Sequence, residues 1–174
     1  LGSLVDLRVG TLWIPGPRAG NTHREGITAL GKQDGLGLHL LPLETAGRLP
    51  HLLVKCRYEN HLLTWVVDTG AEVTVMASES ADRLGIPSVA SRSKIIDASG
   101  DRASVRSAVL HNLLFGRLLV HEFQVAVTPL GPIRRTFKDR SGRPVDGIIG
   151  MDFLEKSSAL LDTASRMLYL GSSP

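Results

Sequence analysis

From Leu49 onward the chain alternates apolar and polar positions in short runs of strand length. Leu52 to Tyr58 and His61 to Val67 flank Glu59-Asn60, a two-residue hairpin connection in which Asn tolerates a positive φ. Val73 to Met76 is another β-branched run, and Ala77 to Leu84 reads as a short helix with Ser78 as its N-cap. Gly85 and Pro87 stop that helix. Arg92 to Asp97 and Arg102 to Leu110 bracket Ala98-Ser99-Gly100-Asp101 as a second hairpin. Leu113 to Phe115 and Leu118 to Val120 flank a Gly116-Arg117 turn, and Phe123 to Val127 continues as a strand. Met151 to Lys156 makes a helical turn after Gly147-Ile148-Ile149-Gly150, and Ala159 to Asp162 pairs with Arg166 to Leu170 as a closing hairpin. Many short strands at such intervals predict an all-β sandwich or barrel with one or two short helices.

The first 47 residues differ. They hold nine of the 18 glycines with no hydrophobic period, so 1–47 reads as a linker or pro-segment, in which Val9 to Ile14 could pair as a strand. Residues 1–3, Leu-Gly-Ser without an initiator Met, resemble a cleaved-tag scar on a longer native protein. The folded domain is expected over 48–171. At 174 residues and 43% hydrophobic, the chain has enough material for one core. No apolar run reaches the length of a membrane span, and compartment is not legible.

Net charge is +3, but it is unevenly spread. Between Pro129 and Pro144, Arg134, Arg135, Lys138, Arg140 and Arg143 face only Asp139, so the rest of the chain is slightly acidic. Gly131, Pro132, Gly142 and Pro144 punctuate that segment, which reads as an exposed basic loop, more simply a solvated insertion than a partner site. Aromatic residues make up 5% of the chain and no nucleic-acid motif accompanies the charges, so nucleic acid is not an expected partner. The one cysteine, Cys56, excludes an intrachain disulfide and sits in a strand as a half-buried thiol. The six histidines form no i, i+4 pair or ligand cluster, so neither metal nor cofactor is expected. No Gly-x-Ser-x-Gly elbow or phosphate-binding loop is present.

Chemistry concentrates at Val66-Val67-Asp68-Thr69-Gly70-Ala71, a carboxylate in a Gly turn directly after an apolar strand. Alone, Asp-Thr-Gly is a weak motif that any turn can contain. Val145 to Leu154, with Gly147-Ile148-Ile149-Gly150 before a short helix, and Ala98 to Asp101 between β-rich segments supply the context. Three motifs in this order resemble the retropepsin-like aspartic proteases, the single-domain retroviral type and its cellular relatives, over roughly Leu49 to Leu170.

The resemblance implies a closed acid-protease barrel with a flap hairpin, and a peptide or protein substrate. It also implies a homodimer, because the motif occurs once. Hydrolysis by this chemistry uses two carboxylates that share one proton, one acting as base and one as acid, and a C2 dimer supplies the second Asp68. Under the resemblance Asp68 is catalytic, and Thr69 fixes the two loops across the axis. Gly70, Ala71 and Glu72 contact substrate, as do Ala98, Ser99 and Gly100 at the flap tip. Ile148, Ile149 and Gly150 support the catalytic loop. Asp162-Thr163-Ala164-Ser165 echoes the motif but reads as a hairpin turn, and Asp146 and Asp152 as turn and helix-terminus residues. Departures from the pattern are the long N-terminal region, the basic insertion and a flap without a Gly-Gly pair. They keep open a rival reading, a retropepsin-fold binding or dimerisation module with weak or no proteolysis.

Overall fold

The structure is a computed structural model that describes residues 4–6, 11–13, 38–47, 51–96 and 102–171. Thirteen strands and three helices are described in chain order. The strands are β1 (Leu4–Asp6), β2 (Thr11–Trp13), β3 (Leu38–Pro42), β4 (Glu44–Thr45), β5 (Leu52–Tyr58), β6 (His61–Val67), β7 (Val75–Ala77), β8 (Ser88–Ile96), β9 (Arg102–Phe115), β10 (Leu118–Thr128), β11 (Gly147–Ile149), β12 (Leu160–Asp162) and β13 (Met167–Gly171). Helix α1 (Ser78–Arg83) follows β7, α2 (Gly131–Ser141) lies between β10 and β11, and α3 (Met151–Lys156) follows β11.

The larger sheet runs β4-β5-β6-β11-β7-β10-β9-β8, and a further β5–β9 pairing at Arg57 and Leu114 closes six of those strands into a barrel. Alternation fills it. On β6, Leu63, Trp65 and Val67 enter the main core, as do Val54 and Cys56 of β5, Met76 of β7 and Ile149 of β11. Phe153 of α3 plugs one end, in ring contact with Phe115 and Phe123 at centroid distances of 5.0 Å. Closure leaves the central strands no unpaired edge, which removes a common route to aggregation.

The β9–β10 hairpin is longer than its hydrophobic pattern suggests, because inward positions change parity partway along. On β9 they are Ala108 and Leu110, then Leu113 and Phe115; on β10 they are Leu118, then Phe123, Val125 and Val127. The switch falls where Asn112 adopts a left-handed φ of 55° opposite His121, so both strands shift phase together and the pairing register survives. In the β5–β6 turn it is Glu59, not Asn60, that takes the positive φ (50°). The run expected from Val73 as a strand begins only at Val75. Ser78 does not cap α1; Ala77 holds the cap position without a side-chain bond, and Ser78 is the first helical residue.

Two larger expectations need correction. The basic segment is not a loop but helix α2: Pro132 lies in its first turn, where a missing N–H costs nothing, and Gly142 ends it with a left-handed φ of 77°. The residues that read as loop punctuation are the helix's own start and stop signals. Likewise, part of the N-terminal region is core. Leu41 and Leu43 are buried in the main cluster, and β3 pairs with β13 along five register positions. A second sheet of order β2-β1-β12-β13-β3 results. Val9 to Ile14 contributes β2 over Thr11–Trp13; Ala98, Ser99 and Gly100 lie outside the described residues, between β8 and β9.

Cys56 is buried rather than half-exposed, and Trp65 Nε1 donates to its sulfur at 3.2 Å. Burial pushes its thiol from 9.0 up to about 12. Between those values the unfolded thiol loses its proton while the folded one keeps it, so this group's contribution to stability is complete below pH 9 and declines as pH rises. Urea unfolding of wild type should therefore lose more stability between pH 8 and pH 11 than Cys56→Ala does. Equal losses would show that the thiol is not sequestered.

Candidate active site

Asp68 follows the last residue of β6, and its backbone N–H donates to the Ile149 carbonyl at 3.0 Å, carrying the parallel β6–β11 ladder one step further. The chain then turns. Gly70 N–H donates to Asp68 Oδ1 at 2.9 Å, and Ala71 N–H donates to the Asp68 carbonyl at 3.2 Å. These bonds orient a half-buried carboxylate above an exposed Thr69 and Gly70.

The far side of the loop is clasped by α3. The first turn of a helix has N–H groups with no partner inside the helix. Here Met151 N–H donates to the Ala71 carbonyl at 2.8 Å and Asp152 N–H to the Glu72 carbonyl at 3.2 Å. Thr74 locks the clasp: its hydroxyl donates to Asp152 Oδ1 at 2.6 Å and accepts from Gly150 N–H at 3.0 Å, while its own N–H donates to Asp152 Oδ1 at 2.8 Å. Gly150 must be glycine, because a Cβ there would lie 2.7–2.8 Å from the backbone of Ala71 and Val73. At Gly147 a Cβ would meet the Trp65 ring at 2.3 Å.

Thus Asp68, Thr69, Gly70, Ala71, Glu72, Ile149 and Gly150 come together as one hydrogen-bonded unit. Ile149 is buried in the barrel, whereas Ile148 faces the other way, among Val66, Phe137 and Val145 on one side and Val75, Ala77 and Leu130 on the other. Thr74 went unmarked in the sequence because it reads as one more strand residue. Its contact with Asp152 spans 78 positions, and no local pattern announces it.

Asp146 is not a turn residue. It is buried beneath the β6–β11 pairing, where Oδ2 accepts from Thr64 N–H at 2.9 Å and Oδ1 from Ser80 Oγ at 2.7 Å and Arg83 at 2.9 Å. Arg134 of α2 enters the same network, donating to Ser80 Oγ at 2.7 Å and to the Val145 carbonyl. Asp162 spends its carboxylate inside its own hairpin turn, accepting from the N–H groups of Ala164 and Ser165 and from the Ser165 hydroxyl. Among the described residues no group of three or more His, Cys, Asp or Glu side chains could hold a metal ion, and no helix is long and apolar enough to cross a membrane.

Barrel and loop together define the aspartic protease class, in a chain that carries the Asp-Thr-Gly signature once. The profile of the family described as aspartyl protease matches residues 54–153, and the chain belongs to that family, in its retropepsin-like form. Human protein DDI1 homolog 1 is 25% identical over 128 residues, covering 74% of this chain and 30% of the human protein. The chain therefore spans less than a third of that relative's length. A retropepsin-like aspartic protease from Rickettsia conorii superposes with a TM-score of 0.49 at 18% identity, covering 79% of this chain and 92% of that one. The retroviral protease-like domain of Ddi1 from Leishmania major gives a TM-score of 0.44 at 19% identity, covering 64% and 81%.

Replacing Thr74 by Val keeps the shape but removes the two hydroxyl bonds at the clasp, leaving Gly150 N–H without its acceptor. The expected cost is about 2–3 kcal/mol in urea unfolding. A loss below about 0.5 kcal/mol, the usual size for an inconsequential surface change, would mean the clasp contributes little.

Proposed function

We propose that the chain is an aspartic endopeptidase that works as a homodimer, each subunit giving one Asp68. The observation that carries this reading is the fixed, solvent-facing Asp68 loop in a chain with no second equivalent. An Asp-Thr-Gly loop held by backbone bonds to Ile149 and by α3 needs no rearrangement to present its carboxylate. The echo at Asp162 has its carboxylate committed to its own turn.

The chemistry then follows from symmetry. Two Asp68 carboxylates flank one water. The ionised one takes a proton as the water oxygen bonds to the peptide carbonyl carbon, and the protonated one gives its proton to the carbonyl oxygen. Collapse of the resulting diol returns a proton to the leaving nitrogen as the C–N bond breaks, and no cofactor enters the balance. Thr69 ties the two loops across the axis. Gly70, Ala71 and Glu72 receive an extended substrate backbone, and the β8–β9 hairpin closes over it with Ala98, Ser99 and Gly100 at its tip. Ile148, Ile149 and Gly150 support the loop from below.

The test is cleavage of an unbiased peptide library from mildly acidic to neutral pH, with sedimentation recorded in the same buffers. Turnover should track the dimer and fall by about a thousandfold or more in Asp68→Asn. Turnover that survives this substitution sinks the reading. A well-folded dimer that cleaves nothing favours the binding module instead.

A further inference from the structure

We propose that helix α2 forms a wall of the cleft beside Asp68 and that its basic outer surface selects peptides with acidic side chains near the cleaved bond. The inference takes from the proposed function only that this cleft receives a peptide.

Strand parity supplies the placement. Side chains along a strand point alternately to opposite faces. On β6, Leu63, Trp65 and Val67 turn into the barrel, whereas Val66 packs outside it against Phe137 of α2 and Val145. Asp68 extends the same ladder by one bond to Ile149, so it continues the series of Val66, on the side that α2 covers. Ile148 of β11 belongs to that layer too.

The helix is a poor core element. Phe137 is the one residue of its 11 that is fully buried, and Ile133 remains 37% exposed. Arg135, Lys138 and Arg140 are exposed, with Arg143 just beyond, and none of the four has an ion-pair partner among the described residues. Asp139 and Glu79 temper the field without cancelling it; Glu79 Oε1 and Arg135 Nη1 both come near Gly131, at 3.6 and 3.8 Å from its Cβ position. Arg134 points inward instead and fastens α2 to Ser80 and Val145, so the outer cations ride on a helix already fixed in place. A preorganised charged wall costs little to use and discriminates by charge more than it adds raw affinity. Peptide is favoured over nucleic acid because α2's one aromatic side chain is buried, leaving no surface on which bases could stack.

The experiment uses the full chain and two labelled decapeptides that differ only in Asp and Glu against Asn and Gln. Binding is read by anisotropy on Asp68→Asn, and cleavage on the chain with Asp68 intact. Each is repeated in an Arg135→Gln/Lys138→Gln/Arg140→Gln background and in an Arg57→Gln/Arg117→Gln/Arg166→Gln background matched in charge. The acidic peptide should bind roughly tenfold tighter at low salt. That preference should fade with added salt, vanish in the helix variant and persist in the control. Equal binding of the two peptides, no binding of either, or equal loss in the control overturns the inference. So does a single-stranded oligonucleotide that binds tighter than the acidic peptide through the same three cations. Acid-selective binding without Asp68-dependent cleavage would leave the wall standing and remove the protease; charge-blind cleavage that needs Asp68 would do the reverse.

Discussion

The clasp between the Asp68 loop and the start of α3 is the interaction on which the site depends. Loop carbonyls at Ala71 and Glu72 need donors, and α3 begins with N–H groups that need acceptors. Each deficit satisfies the other. Thr74 and Asp152 tie the two across one buried junction. Ile149 then joins this unit to the barrel, since its carbonyl holds Asp68 while its side chain enters the core. A loop set this way needs little further ordering, as the role proposed for Asp68 requires.

A second layer lies under the first. The charge of Asp146 is taken out of water beneath the strands that carry the loop, and such a group is tolerated only when its oxygens are well partnered. Thr64, Ser80 and Arg83 supply the partners, drawn from β6 and α1. Arg134 extends the arrangement to α2, so the insertion is bonded to the same buried centre that aligns β6 with β11. For this reason α2 is bonded into the structure that carries the Asp68 loop and is not an ornament on it.

How much of this was legible in the sequence depends on how local the cause is. Alternation located β5, β6 and the closing hairpin, because burial on one face imposes period two wherever a strand lines a core. The Asp68 motif was readable for a similar reason, since a carboxylate in a Gly turn is a short-range requirement; Gly150 was readable only through its family resemblance, because the backbone it approaches, at Ala71 and Val73, lies far off in sequence. Thr74, Asp146 and Arg134 were not, since, the Arg134–Val145 contact apart, their partners lie 54 to 82 positions away. Helix α2 was misread because Pro132 in its first turn and Gly142 at its C-cap are the residues that also punctuate loops, and its scarcity of buried apolar residues hid the helical period. The parity change at Asn112 broke two long strands into apparent fragments for a comparable reason.

The N-terminal strands bear on how a second subunit could meet the first. In the five-stranded sheet, β13 has β12 on one side and β3 on the other, and β12 lies between β1 and β13. Both C-terminal strands therefore have their backbone partners within the same chain. A second copy cannot add a strand beside either without displacing one of this chain's own, at the cost of the β3 ladder that also anchors Leu41 in the core. Only the outer edges of β2 and β3 remain open in that sheet among the described residues. If two Asp68 loops are to share a water, strand addition in that sheet could draw only on those outer edges, and the rest of the contact has to come from side chains and loops outside it.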